Sequence, residues 1–305
     1  MKRNRHGWGL VLAIALIFVS PALRSEPFAV GKSERDIQAG EAIWQVYAYK
    51  PSCYGNGLLI VVFHGSDRNP RLARDNAVPL AEAGCALVVA PLFDEGRFPR
   101  WAYQFGGIGN VVEENGTRKF RLKPKGRRTG QLLLDLIEAL REREGSRTLP
   151  YSLIGHSAGA QFLSRFAAFV KNEAQRIVLA NPGSYVVPLW ERKYPYGLGG
   201  LAIVDEADRR RYLGSPIVIL LANGDLQREG LDKSPGAERQ GPTRYARGRA
   251  VFEVARASAA ADGSDFNWSL VEVAGLGHGS AKLYARSETA AALFGTLEIG
   301  GVPLQ

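Results

Sequence analysis

Tyr151-Ser-Leu-Ile-Gly-His-Ser-Ala-Gly159 runs directly into Ala160-Gln-Phe-Leu-Ser-Arg-Phe-Ala-Ala-Phe-Val170. The apolar run before Gly155 reads as a buried strand and the stretch after Gly159 as a helix, with a serine at the apex between them. Gly155-His-Ser-Ala-Gly159 has the G-x-S-x-G spacing of a nucleophile elbow. So sharp a strand-to-helix turn brings the chain back on itself, and side chains at 155 and 159 would collide. The turn lifts the Ser157 hydroxyl clear of the sheet. It also places the Ala158 N–H at a helix N-terminus, where negative charge is favoured. Glycine-rich strand-to-helix loops with a serine cap are common in α/β proteins, so the rest of the chain decides what the turn is for.

Outward from the elbow, continuous apolar runs at 58–63, 86–90, 176–180 and 216–222 read as strands buried on both faces. An alternating run at 42–49 and a run at 268–273 add an early and a last strand. Helical stretches are predicted at 71–83, 130–142, 204–213, 244–261 and 280–294, and residues 92–127 read as a long irregular segment rich in aromatics. Strands alternating with helices imply a mostly parallel central sheet covered on both faces. In such sheets the working residues sit in loops at the carboxyl ends of the strands. Four of those ends carry polar motifs: His64-Gly-Ser-Asp67, the elbow, Asn223-Gly-Asp225 and Gly277-His-Gly-Ser280.

A serine hydroxyl needs a base to act as a nucleophile. The chain has four histidines. His6 lies in the leader, His64 ends an apolar strand, and His156 precedes Ser157, so its side chain is expected to point away from the pocket. His278, between two glycines after the last strand, is left as the base. A carboxylate must hold that base in one tautomer. Asp225, in a Gly-Asp turn after a buried strand, is the first choice, with Asp205 and Asp232 as alternatives. The order Ser157, Asp225, His278 is one of the known triad orders. An oxyanion needs two donors, for which the Ala158 N–H and the Ser66 N–H are the candidates.

With these pieces assembled, the mature chain resembles α/β-hydrolase-fold serine hydrolases. The nearer likeness is to secreted esterases and polyhydroxyalkanoate-depolymerase-like hydrolases, through Phe63-His-Gly-Ser-Asp-Arg-Asn69, Arg74-Asp75, Asn181-Pro-Gly-Ser-Tyr185 and Tyr194-Pro-Tyr-Gly-Leu198. The resemblance implies an α/β-hydrolase fold with a small loop lid. It implies cleavage of carboxylic esters, small or at polymer ends, through a Ser-His-Asp triad and an acyl-enzyme, with no cofactor. An acyltransferase or peptidase on the same triad, or a non-catalytic binding module, are the alternatives. The aromatics Phe98, Trp101, Tyr103, Tyr185, Trp190, Tyr194 and Tyr196 fall in two loops flanking the serine. Trp101, Tyr103, Tyr185 and Trp190 are the expected substrate-binding residues, since aromatic walls suit an apolar acyl or aryl group.

The N-terminus reads as an export signal: a basic Met1-Lys-Arg-Asn-Arg5, then an apolar core at 9–19 too short to span a bilayer. This divides the chain into a signal peptide, 1–25, and a single domain, 26–305, periplasmic or secreted and without stable membrane insertion. Removing the leader's four cations leaves 35 basic against 30 acidic residues. That mild, scattered excess is not the basic face with interleaved aromatics of a nucleic-acid binder. Two cysteines without clustered histidines give no metal signature. Cys53 and Cys85 each precede a strand of what could be a neighbouring parallel pair, and export permits a disulfide between them.

Overall fold

The computed structural model describes residues 26–295 together with the backbone of 298–299 and 302–303. The leader therefore lies outside the described residues. The chain opens with an antiparallel hairpin, β1 (Gly31–Ala39) and β2 (Ala42–Lys50), and continues with β3 (Leu59–Phe63). β1 was not apparent in the sequence because it is a polar edge strand, Gly-Lys-Ser-Glu-Arg-Asp-Ile-Gln-Ala, with only Ile37 and Ala39 buried. The helix expected at 71–83 is two helices, α1 (Pro70–Asn76) and α2 (Val78–Gly84), meeting at Ala77. Pro79 explains the break: it has no N–H to give, and its ring would collide with the carbonyl four residues back.

After β4 (Leu87–Pro91) the supposed irregular segment contains a second hairpin, β5 (Gly109–Glu114) and β6 (Thr117–Leu122). Its two-residue turn is Asn115-Gly116, both at positive φ (52° and 69°). That is the turn a tight hairpin demands. Then follow α3 (Thr129–Arg143), β7 (Tyr151–His156), α4 (Ala158–Phe169), β8 (Ile177–Ala180), α5 (Glu206–Leu213) and β9 (Ile217–Ala222). The chain continues through α6 (Pro235–Glu238), α7 (Arg244–Asp262), β10 (Ser269–Val273), α8 (Ser280–Tyr284) and α9 (Ser287–Phe294).

The main sheet has the order β1-β2-β4-β3-β7-β8-β9-β10. β2 is antiparallel to both its neighbours, and every pair from β4 to β10 is parallel. Strand β3 shows why both faces must be covered. Leu59, Val61 and Phe63 join one core with α3, α4 and α7, while Ile60 and Val62 join another with α1, α2, α8 and α9. Alternating side chains point to opposite faces, so an all-apolar strand requires two cores.

Cys53 and Cys85 form a disulfide with their Cα atoms 5.3 Å apart. Cys85 caps α2 in a left-handed conformation immediately before β4, and β4 pairs with β3 in the register Leu59↔Leu87. Parallel pairing brings the two strand entrances together, which is what the bond needs. Among the described residues no helix is long and apolar enough to cross a membrane.

Two buried arginines hold down the loops over the carboxyl ends of the strands. Arg165 of α4 donates to the carbonyls of Ser184 (2.7 Å) and Pro195 (2.8 Å), fixing the 184–195 segment. Burial lowers its pKa to about 10. Arg247 of α7 reaches Gly183 O, Gly241 O and Asp232 O and pairs with Glu238. Part of the chain's basic excess is thus internal structure rather than surface charge.

Candidate active site

β7 ends at His156 and α4 begins at Ala158, so Ser157 alone makes the turn. Its backbone lies at φ 55°, ψ −110°. A non-glycine residue there stores on the order of 1–3 kcal/mol of strain, a burden typical of working sites. A Cβ at Gly155 would come within 2.5 Å of Gly159 C, and one at Gly159 within 2.5 Å of Phe63 O. The two glycines are therefore required by close backbone approach on both sides of the serine. The Ala158 N–H is the first of α4 and has no carbonyl of its own helix to bind.

Asp225 and His278 come together because β9 and β10 are parallel neighbours that end level, Ala222 opposite Val273. Beyond the strands their loops are tied: Gly224 N donates to Leu276 O (2.9 Å), and Asn223 Oδ1 accepts from Gly275 N (2.9 Å). His278 Nδ1 lies 2.5 Å from Asp225 Oδ2, and His278 Nε2 lies 3.1 Å from Ser157 Oγ. An acceptor-only carboxylate at Nδ1 fixes the proton there and leaves Nε2 free to accept from the serine hydroxyl. Asp225 is fully buried, and its other oxygen, Oδ1, faces Arg244 Nη1 at 3.4 Å.

The alternative acids are committed elsewhere. Asp205 caps α5, accepting from Asp208 N in a capping box. Asp232 accepts from Tyr196 OH (2.7 Å) and Ser234 N (3.0 Å) and pairs with Arg100 (3.1 Å). Burial pushes its carboxyl up, but those donors and the arginine outweigh it, so its pKa ends below the ordinary value.

His156 does not line the serine cleft, as expected, but it is not idle packing. Its ring lies 4.6 Å from that of His278. Burial, then the neighbouring His278, lowers its pKa to about 3. His64 holds the loop after β3. Its Nε2 accepts from Phe93 N (3.1 Å), its Nδ1 is 2.9 Å from Gly65 O, and its own carbonyl accepts from Tyr103 OH (2.7 Å). Burial is the main reason its pKa falls to about 4. Both imidazoles are neutral when folded, whereas in the unfolded chain they protonate near pH 6.5. Because the unfolded state binds more protons below that pH, stability should fall as the pH drops through about 6.5 toward 4. By pH 5 the loss should be about 2 kcal/mol for each of the two groups relative to pH 7. Denaturant unfolding at the two pH values checks this, and equal free energies would contradict it.

Ser157 opens into a cleft of about 440 Å³ shared with Ser66, Arg100, Gln104, Gln161 and Lys233. Ser66, one expected oxyanion donor, therefore faces the same space as Ser157. None of the seven aromatics lines it. Tyr103 is fully buried, its ring stacked 4.6 Å from Phe93 and its hydroxyl spent on His64. Tyr185 is fully buried too, its backbone clasped by the Gln240 amide at 2.9 and 2.8 Å. Trp101 and Trp190 stay partly exposed but lie outside the serine cleft. Trp101 lines a separate apolar groove of about 450 Å³ with Phe105, Phe120 and Tyr194, and Lys123 sits over its ring. The lining of the serine cleft is mostly polar, and Trp101, Tyr103, Tyr185 and Trp190 are not part of it. Arg100 and Gln104 alternate with those aromatics along one short turn, and the turn faces its polar side chains toward the serine. Among the described residues no group of three or more His, Cys, Asp or Glu could hold a metal ion.

The strand order, the serine at the elbow after β7 and the acid and histidine after the last two parallel strands together define an α/β-hydrolase fold. Solved structures agree. Poly(aspartic acid) hydrolase-1 from Sphingomonas sp. KT-1 superposes with a TM-score of 0.78 at 28% identity, covering 86% of this chain and 98% of that one. LpqC, a poly(3-hydroxybutyrate) depolymerase from Bordetella parapertussis, superposes with a TM-score of 0.77, also at 28% identity, covering 86% and 89%. A hyperthermophilic esterase from the archaeon Pyrobaculum calidifontis shares the fold at 13% identity, with a TM-score of 0.52 over 88% of this chain and 84% of its own. No protein-family model matches the chain, and no curated protein does.

Proposed function

We propose that this protein is an exported serine hydrolase that cleaves carboxylic esters through an acyl-enzyme. The observation that carries the reading is the continuous chain of hydrogen-bonding contacts from buried Asp225 through His278 to Ser157. In this mechanism Ser157 Oγ attacks the ester carbonyl while His278 Nε2 takes its proton, and Asp225 stabilises the imidazolium that forms. The oxyanion is received by the N–H groups of Ala158 and Ser66, donors fixed in place before reaction. His278 then returns the proton to the departing alcohol, leaving an ester on Ser157. Water attacks that ester with the same assistance and releases the carboxylic acid. The hydrolytic relatives support the class, and two of them act on polymers by name, so polymer-end esters join small esters as candidate substrates. The leader composition and the Cys53–Cys85 bond support export.

Fluorophosphonate treatment of the purified protein, read by intact mass and peptide mapping, tests the assignment. A single adduct on Ser157 is expected. Folded protein that takes no adduct would displace the hydrolase reading in favour of a binding module on the same fold.

A further inference from the structure

The cleft beside Ser157 carries more positive charge than ester hydrolysis requires. Arg100, Lys233 and Arg244 line it, against one lining carboxylate, Asp232. That carboxylate is already engaged by Arg100, Tyr196 and Ser234. Lys233 is exposed and makes no ion pair among the described residues. Arg244 is 4% exposed. Its Nη1 reaches Asp225 Oδ1 and Gln227 O at 3.4 Å, its Nη2 reaches Glu229 O at 3.2 Å, and its Nε is buried with no acceptor among the described residues. Arg244 is paired with buried Asp225 and Arg100 with Asp232, so Lys233 is the lining cation left without a carboxylate among the described residues. The aromatic side chains that would welcome a neutral acyl chain, Trp101 and Phe120, line the other groove.

We infer that the substrate carries a carboxylate on its acyl side, so that the scissile bond belongs to a half-ester of a dicarboxylic acid or to an end of a polyanionic polyester. The inference rests on the ester-hydrolase reading. The free carboxylate lies among Lys233, Arg100 and Arg244 while the ester carbonyl faces Ser157. A neutral acyl group in the same place leaves the cations to water and gains nothing from them. Charge-assisted hydrogen bonds to a carboxylate are about twice as strong as neutral ones. Asp232 keeps Arg100 oriented and limits how much negative charge the cleft takes.

The test compares two chromogenic esters of equal chain length, mono-4-nitrophenyl adipate and 4-nitrophenyl hexanoate, on the purified protein. We expect kcat/KM for the adipate to exceed that for the hexanoate by about ten-fold or more at low salt. The ratio should shrink as salt screens the cleft, because exposed charges lose their reach at high ionic strength. Lys233→Ala, at an exposed position, should lower the adipate-to-hexanoate ratio by about ten-fold, and Lys233→Glu should lower it further. A ratio at or below one in the parent protein, or one that Lys233→Glu leaves unmoved, overturns the inference while the hydrolase reading stands. Failure of the underlying reading looks different: neither ester turns over, Ser157 takes no fluorophosphonate, and the inference falls with it.

Discussion

Ser157→Ala is expected to lower kcat for any ester the protein cleaves by about 10⁶, the scale set by removing a triad serine elsewhere. The reason is specific to this site. Two other hydroxyls line the cleft, those of Ser66 and Ser234; neither is bonded to a histidine among the described residues, and Ser234 Oγ is engaged by Tyr196 OH. The fold should survive the change. Alanine keeps a Cβ, so the strained φ of 55° costs about the same, and the Gly155 and Gly159 contacts that make the turn possible are untouched. What is lost is one partly exposed hydrogen bond to His278. Unchanged circular dichroism, a melting temperature within a few degrees of the parent and background turnover are the expected result. Turnover retained at more than about a thousandth of the parent's would remove Ser157 from its role.

Asp225→Asn is the second large effect, a loss of about 10⁴ in kcat by analogy with the same change in a triad of this kind. The neighbours of Asp225 make the mechanism of that loss definite. Arg244 donates toward Oδ1, so the new amide turns its oxygen to Arg244 and its NH₂ to His278. Facing a donor, His278 Nδ1 must become an acceptor, and the ring proton moves to Nε2. Nε2 can then no longer take the proton of Ser157. The loss therefore comes from the wrong tautomer in an intact geometry. If Asp205→Asn or Asp232→Asn cost as much, with Asp225→Asn mild, the acid would be misassigned. The capping role of Asp205 and the contacts of Asp232 to Tyr196, Ser234 and Arg100 predict that neither does.

Three kinds of information were lost between sequence and fold. The hairpin β5–β6 had a signal that was open to reading, Asn115-Gly116 between Val111-Val112 and Phe120, but the aromatics around it drew the segment toward irregular structure. Edge strand β1 had almost none. It buries few side chains, so periodicity had nothing to mark, and only its pairing with β2 makes it a strand. The split of the helix expected at 71–83 was written in Pro79.

The cleft itself was the least legible part. Aromatic residues in loops near a nucleophile suggested its walls, yet Tyr103 and Tyr185 turned into the interior, where their area gains more by burial than by waiting for a ligand. The buried partners, Phe93 stacked on the Tyr103 ring and Gln240 bonded to the Tyr185 backbone, are 10 and 55 residues away along the chain. The cations that do line the cleft looked like ordinary solvated charges in sequence, as did Arg165 and Arg247, which proved to be internal clamps.

Local pattern sufficed wherever a requirement is local. The glycines at 155 and 159 answer to a turn five residues long, the apolar runs to burial on two faces, and the order Ser157, Asp225, His278 to positions after the ends of β7, β9 and β10. Which side chains meet across the sheet is set by strand order and by the register of β9 on β10. Those depend on pairings between segments tens of residues apart, whose free energy no single segment carries. The direction each loop side chain finally faces, and with it the charge of the cleft, follows from the competition between buried partners and water once those pairings are made.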